Sequence, residues 1–285
     1  MSSGELVQYR QSVARWERIL DRIMPKMQDV LPAHIPAKRL HRILLAQFTP
    51  DSKIHLCTPP SFVGSVLTTC QIGLEIAVGG QCWILPFKKR NEYIATVVIG
   101  WKGYKDLAYR APQVGSFNAG VVYEKEEFEY HRSMGKGDEP YIVHPWSELP
   151  LDQRGHLRAA YMAVQMKTGQ WVLQVLSKPE VLERKRRSRA AQFDTSAWAT
   201  DEAAMWRKTA CLAGASFLPA DYNFARAHDL DVQAERGTQD LSQEPKDFGV
   251  DPSEWEDAAG AHAKAADKAR EVGEKGDRSG AEEET

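Results

Sequence analysis

The sequence predicts an α+β fold: an antiparallel sheet of β-hairpins, packed helices and an acidic, flexible C-terminal tail. Three observations carry it. Apolar residues first recur at helical spacing, then from Gln81 they fall into short β-rich runs broken by turn residues, and helix-start signals return after Ser177. With 285 residues the chain suffices for one or two domains and a sizeable core.

The elements follow in order. Leu6, Val13, Trp16, Leu20, Ile23 and Met27 form an apolar helical stripe with charges between them. Pro32 and Pro36 interrupt it, and Leu40, Ile43, Leu44 and Phe48 begin a second, shorter stripe. Ser61, after two prolines, is the expected N-cap of a helix reaching Ile72. QCWILPF (81–87) and EYIATVVIG (92–100) then read as a hairpin whose tip is Lys88-Lys89-Arg90-Asn91. Residues 101–111 give a short helix, 114–132 one or two strands, and 132–157 a polar, Gly/Pro-rich excursion. A second hairpin joins 157–166 to 170–176 through Lys167-Thr168-Gly169. Ser177 and Glu180 match a capping box, so a helix starts there, and Thr200-Asp201-Glu202 opens another that stops near Gly214. Beyond Asp229 the composition predicts disorder, with at most a transient helix near 253–272. The expected organisation is therefore an N-terminal helical segment over 1–54, expected to serve oligomerisation, a core over 55–228, and the tail over 229–285.

Charge is unevenly placed. Residues 229–285 hold 17 acidic and 7 basic side chains, whereas residues 1–228 hold 22 acidic and 30 basic ones. A basic body suits a polyanion, and a tethered acidic tail can compete for the same surface or recruit a partner; chance segregation of solvated charge is the rival explanation. No stretch nears the ~18 consecutive apolar residues of a membrane span. The first residues lack a signal-peptide layout, so a cytosolic protein without membrane contact is expected. Cys57, Cys70, Cys82 and Cys211 form no CxxC pair and read as reduced, buried thiols.

Familiar chemistry is missing from the sequence. There is no G-x-x-x-x-G-K-[ST] loop, no G-x-S-x-G, no H-E-x-x-H and no kinase signature. His55 near Cys57 reads as structural, and Glu124, Glu126, Glu127 and Glu129 as a solvated face. No cofactor is expected, and nothing compels an enzyme. What recurs instead is a basic group beside an aromatic. Lys88, Lys89 and Arg90 follow Trp83 and Phe87; Lys102 follows Trp101; Arg110 follows Tyr109; Arg207 and Lys208 follow Trp206; and Lys185, Arg186 and Arg187 share one helix. Single-stranded nucleic acid is gripped this way, cations tracking phosphates while ring faces accept any base. The competing reading for Trp83, Trp171 and Trp206 is the core, since all three sit in apolar patterns.

Seven ordered blocks also carry a resemblance. Ser61-Phe62-Val63, Gln71 to Glu75, Cys82 to Phe87, Ile99 to Tyr104 with Asp106-Leu107-Ala108 and Arg110, Val122-Tyr123-Glu124 with Phe128, the Ala160-to-Val164 strand, and Trp198, Glu202, Met205, Lys208-Thr209 and Leu218-Pro219 resemble the RecT family over roughly residues 55–222. Ile76 stands where the family usually has proline, and Arg207-Lys208-Thr209 where a paired lysine is usual. The resemblance implies a phage or prophage protein, in the cytoplasm of a bacterial host, that anneals complementary single strands without ATP. It implies a homo-oligomer as ring, arc or helical filament, single-stranded DNA and the annealed duplex as ligands, and a cognate exonuclease and host single-stranded-DNA-binding protein as partners. The DNA-contact residues expected on combined grounds are Lys88, Lys89, Arg90, Trp101, Lys102, Arg110, Lys185, Arg186, Arg187, Arg207 and Lys208. A metal-dependent nuclease and a structural phage protein are the alternatives.

Overall fold

The computed structural model describes residues 3–132, 135, 137–219 and 221–251. The chain divides into two compact units. The described residues of Met1–Thr68, Pro86–Ala95 and Leu241–Thr285 form one, and Thr69–Leu85 with Thr96–Asp240 form the other. The expected break at residue 54 falls inside the first unit.

In the first unit, α1 (Ser3–Val30) and α2 (Ala37–Ala46) follow the two apolar stripes, and α3 (Pro59–Ile72) begins there. Trp16 is the anchor: its ring stacks on Phe48 at 5.3 Å and meets Phe62 edge-on at 4.8 Å, while its Nε1 donates to His55 O at 3.1 Å. Burying so large a ring removes much apolar surface from water, and the lone polar atom has a partner. Ser61 is not the N-cap. It lies inside the first turn of α3, fully buried, where its hydroxyl donates to Thr58 O and accepts from the Ala95 amide at 3.0 Å. The helix starts at Pro59 because proline's fixed φ and missing N–H suit a first turn.

β1 (Cys82–Lys89) and β2 (Glu92–Ile99) form the first hairpin, turning at Arg90 with φ 55° and Asn91. β1 alternates at its start: Cys82 and Ile84 are buried, whereas Trp83 and Leu85 are exposed.

The second unit is built on a three-stranded antiparallel sheet, ordered β3 (Val114–Tyr123), β6 (Leu157–Met166), β7 (Trp171–Ser177). Val121 pairs with Ala160 and Ala160 with Leu176, and this face packs on α5 (Lys178–Arg187), α6 (Ala197–Thr200) and α7 (Glu202–Ala215) through Val181, Trp198, Trp206 and Ala210. The Gly169 turn has φ 90°, and the Ser177–Glu180 capping box forms with both bonds present. α4 (Trp101–Arg110) follows β2 directly. The polar excursion carries a small antiparallel pair, β4 (Glu129–His131) with β5 (Tyr141–Val143).

Glu126 pins that excursion. Its buried carboxylate accepts from the Tyr123 amide at 2.8 Å and Arg154 Nη1 at 2.8 Å, with His144 Nε2 at 3.3 Å. Burial works to raise its pKa, but the Tyr123, His144 and Arg154 hydrogen bonds outweigh it and hold the carboxyl below its ordinary value.

The expected boundary at residue 228 is corrected. α8 (Tyr222–Arg236) runs straight through it, capped by Asp221 at its start and by Gly237, φ 69°, at its end, and α9 (Glu244–Asp247) follows. Leu230, Asp231, Gln239, Leu241 and Val250 are all buried. Disorder was expected over 229–285 because averaged composition hides these positions. Gln239 binds the β2 backbone like a neighbouring strand, its Oε1 accepting from the Val97 amide at 2.7 Å and its Nε2 donating to Val97 O at 3.0 Å. Asp231 accepts from the Ile99 amide at 3.2 Å, the Tyr104 hydroxyl at 3.1 Å and Lys208 Nζ at 2.8 Å. Asp231 is fully buried and Tyr104 nearly so, and burial with the neighbouring carboxylate drives the Tyr104 hydroxyl pKa well above its usual value. The tail over 252–285, including the helix expected near 253–272, lies outside the described residues.

Three outcomes are expected. Asp231→Ala strands a buried ammonium, so it should cost about 3–5 kcal/mol in a urea unfolding series, and a chain ended after His228 should fail to fold where one ended after Asp251 folds. Glu126→Gln should destabilise by roughly 1–3 kcal/mol at neutral pH. A carboxyl whose folded pKa is depressed contributes fully above its unfolded pKa and loses that contribution as pH falls through the folded one. The gap between native protein and variant should therefore close as pH drops below ~4, the ordinary carboxylate value; a gap that stays constant with pH would deny the ionised role.

Candidate nucleic-acid interface

Within the second unit, α4 and α7 each place alternate chemistry on opposite sides. Successive helix positions differ by about 100°, so in α4 Trp101, Lys102, Lys105 and Tyr109 reach the surface while Gly103, Tyr104, Leu107 and Ala108 are buried. In α7 Trp206 and Lys208 are buried and Arg207, between them, is only partly covered.

Two glycines let the chain around Trp83 close onto α4. A Cβ at Gly100 would lie 2.2 Å from Gly80 O and 2.7 Å from the Trp83 ring, and one at Gly103 would lie 2.3 Å from Gln81 O. Gly80 itself has φ +77°, and the Lys102 stem runs past it. The indole of Trp83 thus rests on bare backbone, 38% exposed. Next to it Trp101 carries two cations, Lys102 Nζ at 5.8 Å and Arg207 Cζ at 6.0 Å from its ring centre. One helical turn on, Lys105 Nζ stands 5.9 Å from the ring centre of Tyr109, whose hydroxyl accepts from the Phe117 amide at 3.0 Å. Half-exposed rings with ammonium and guanidinium heads form a patch that can offer stacking faces and phosphate partners together.

Among the residues expected to contact DNA, Trp101, Lys102 and Arg207 come together here. Two others are engaged within the protein instead. Arg110 donates to Ile72 O at 2.7 Å and Gly73 O at 2.6 Å and pairs with Asp106 at 2.6 Å, capping the carbonyl end of α3. Lys208 is buried against Asp231. Both were expected at the surface because a sequence shows the charge of a side chain and not its counter-charge. Lys88, Lys89 and Arg90 are exposed at the hairpin tip in the first unit. Lys185 pairs with Glu202 at 3.4 Å and stands over Trp198, and Arg186 and Arg187 both pair with Glu183. Exposed pairs of this kind are worth little.

Sequence reasoning missed three members of the patch. Trp83 was expected in the core, as was Trp171, and both are 38% exposed; Trp206, at 1%, is core. The missed signal was period two: an outward Trp83 follows from inward Cys82 and Ile84. Lys105 and Tyr109 lie four and eight positions after Trp101, on one side of a helix. All four cysteines are free and buried, and burial pushes Cys57 and Cys70 up to about 12, which leaves them unreactive. No described helix is long and apolar enough to cross a membrane.

Comparison with known proteins agrees with the geometry. The RecT family is matched over residues 39–237, which includes the whole patch. The chain belongs to the RecT family. It is also similar to Protein RecT of Escherichia coli (strain K12), 27% identical over 240 residues, covering 81% of this chain and 84% of that one. Membership supports single-strand annealing in DNA recombination as the general activity.

Replacing Lys102 and Arg207 together by Ala should leave folding intact and weaken single-stranded DNA binding. The slope of log affinity against log salt should shrink by about 0.7 for each phosphate that is no longer neutralised. Arg110→Ala and Lys208→Ala should instead lower the melting temperature; a folded, stable Lys208→Ala protein that no longer binds DNA would return that lysine to the interface.

Proposed function

We propose that this protein binds single-stranded DNA and anneals complementary strands without ATP, working as a multimer assembled along the DNA in the cytoplasm of a bacterial host. The observation that carries the reading is the cluster of Trp83, Trp101, Lys102 and Arg207 on α4 and its neighbours, inside the segment matched to the RecT family. Family membership supports annealing; the sequence, which contains no phosphate-cradling loop, supports independence from ATP.

No covalent step is needed. Cations neutralise the phosphates of one strand, which lowers the repulsion that opposes a second strand. Rings of the Trp83 and Trp101 kind hold bases by their faces at about 1–3 kcal/mol each and leave pairing edges open. A complementary strand tests those edges, and duplex stacking and pairing supply the driving free energy. Neighbouring copies turn weak contacts per subunit into long-lived binding through high effective concentration. The annealed duplex is the product, and a cognate exonuclease and the host single-stranded-DNA-binding protein are the partners.

The test is the pairing rate of complementary oligonucleotides, one carrying a fluorophore and the other a quencher. Purified protein should accelerate pairing equally with and without ATP, and Trp83→Ala should slow it while the fold is kept. Strict ATP dependence, or no acceleration by a folded protein that binds the strands, would overturn the reading. Shortening of either strand in Mg²⁺ or Mn²⁺ would favour a nuclease.

A further inference from the structure

We propose that the loop carrying Trp146 is one half of a head-to-tail contact between copies of this chain. The other half is the groove of the next copy between α5 and the short turn at Arg189–Gln192. The proposal rests on the multimeric reading above and names its surface.

Trp146 is 82% exposed, the most exposed large apolar side chain among the described residues, and Leu149 and Leu151 beside it are exposed too. An indole held in water at the end of a limp loop would carry little information. This loop is fixed. Arg154 donates from Nε to Leu149 O at 2.7 Å and from Nη2 to Ser147 O at 3.2 Å, while its Nη1 is tied to the buried Glu126 at 2.8 Å. The Leu149 amide donates to Ser147 Oγ at 3.3 Å. One guanidinium thus ties the backbone just after Trp146 to a buried carboxylate, so a partner meets a knob already anchored, and less entropy is lost on binding.

The groove matches it in polarity and charge. About 770 Å³ in volume, it is lined by Pro179, Leu182 and Ala191 between the heads of Lys178, Lys185 and Arg186. It is a shallow groove open to solvent, so it suits a protruding side chain of another copy better than an enclosed small ligand. From Lys178 to Arg187 there are five cations and two carboxylates; from Gly137 to Gln153 there are four carboxylates and no lysine or arginine. The same carboxylates argue against DNA as the occupant that Trp146 meets, since they repel phosphate. Knob and groove are different patches of one surface, so the contact is heterologous and propagates into a ring if the rotation closes and a filament if it does not.

The experiment uses the full chain. Sedimentation velocity with and without a single-stranded oligonucleotide should show large species for the native protein, and Trp146→Ala should weaken self-association by roughly tenfold or more. In parallel, Trp146→Cys and Leu182→Cys proteins with different tags are mixed under a mild oxidant. Both positions are exposed and all four native cysteines are buried. A disulfide should form between unlike tags in the mixture and not within either protein alone. A multimeric native protein whose Trp146→Ala variant associates equally, with no mixed cross-link, overturns this contact and leaves the annealing multimer standing. A native protein that stays monomeric on DNA overturns both. A Trp146→Ala variant that keeps its assembly but loses DNA binding makes Trp146 a base-stacking residue and overturns the contact.

Discussion

A single carboxylate ties α8 to three other elements of the second unit. Asp231 is fully buried and gathers three donors from three elements: the end of β2 through Ile99, α4 through Tyr104 and α7 through Lys208. An ion taken out of water is unfavourable by several kcal/mol even after relaxation, and only close, fully bonded partners offset it. Its stabilising value against an apolar triad is modest. Its value as a constraint is large, because any shift of α4, α7 or α8 leaves a buried charge unpaired. The patch at the surface inherits that rigidity. Tyr104 and Lys208 point inward from the same two helices whose Trp101, Lys102 and Arg207 point outward, so fixing one side places the other.

This arrangement explains which parts of the molecule were legible in the sequence. The two hairpins, the capping box at Ser177, the Gly169 turn and the apolar stripes of α1 and α2 depend on neighbours in the chain, and local chemistry predicts them. Polar core residues do not announce themselves. Asp231 and Gln239 look like ordinary members of an acidic stretch, and Lys208 like the second half of a basic pair. Only the fold shows that the aspartate and the lysine neutralise each other. Arg110 is the same lesson in milder form: its partner Asp106 was visible four residues earlier, but the carbonyls of Ile72 and Gly73 were not. Half of the site was legible, as Trp101, Lys102 and Arg207 show. Trp83 was hidden because an apolar run was taken as buried on both faces.

Glycines do quiet work at the interface. Without side chains at 100 and 103, the backbone of residues 80–81 comes within contact of the first turn of α4, and the Trp83 ring settles on the gap. The far edge of the ring meets this backbone, and the residue stays 38% exposed, open to a stacking partner. The same closeness leaves α4 little room to tilt toward residues 80–81.

The way Gln239 and Asp231 meet β2 has one more consequence. β2 is half of a two-stranded sheet, and such a strand ordinarily offers a row of bare amides and carbonyls to any extended chain that drifts past. Here the amides of Val97 and Ile99 and the carbonyl of Val97 are already taken, by side chains that cannot be peeled away without uncovering a buried charge. At Val97 and Ile99 this margin is closed to an incoming strand. In the multimer proposed above, that closure would oppose strand exchange between neighbouring copies.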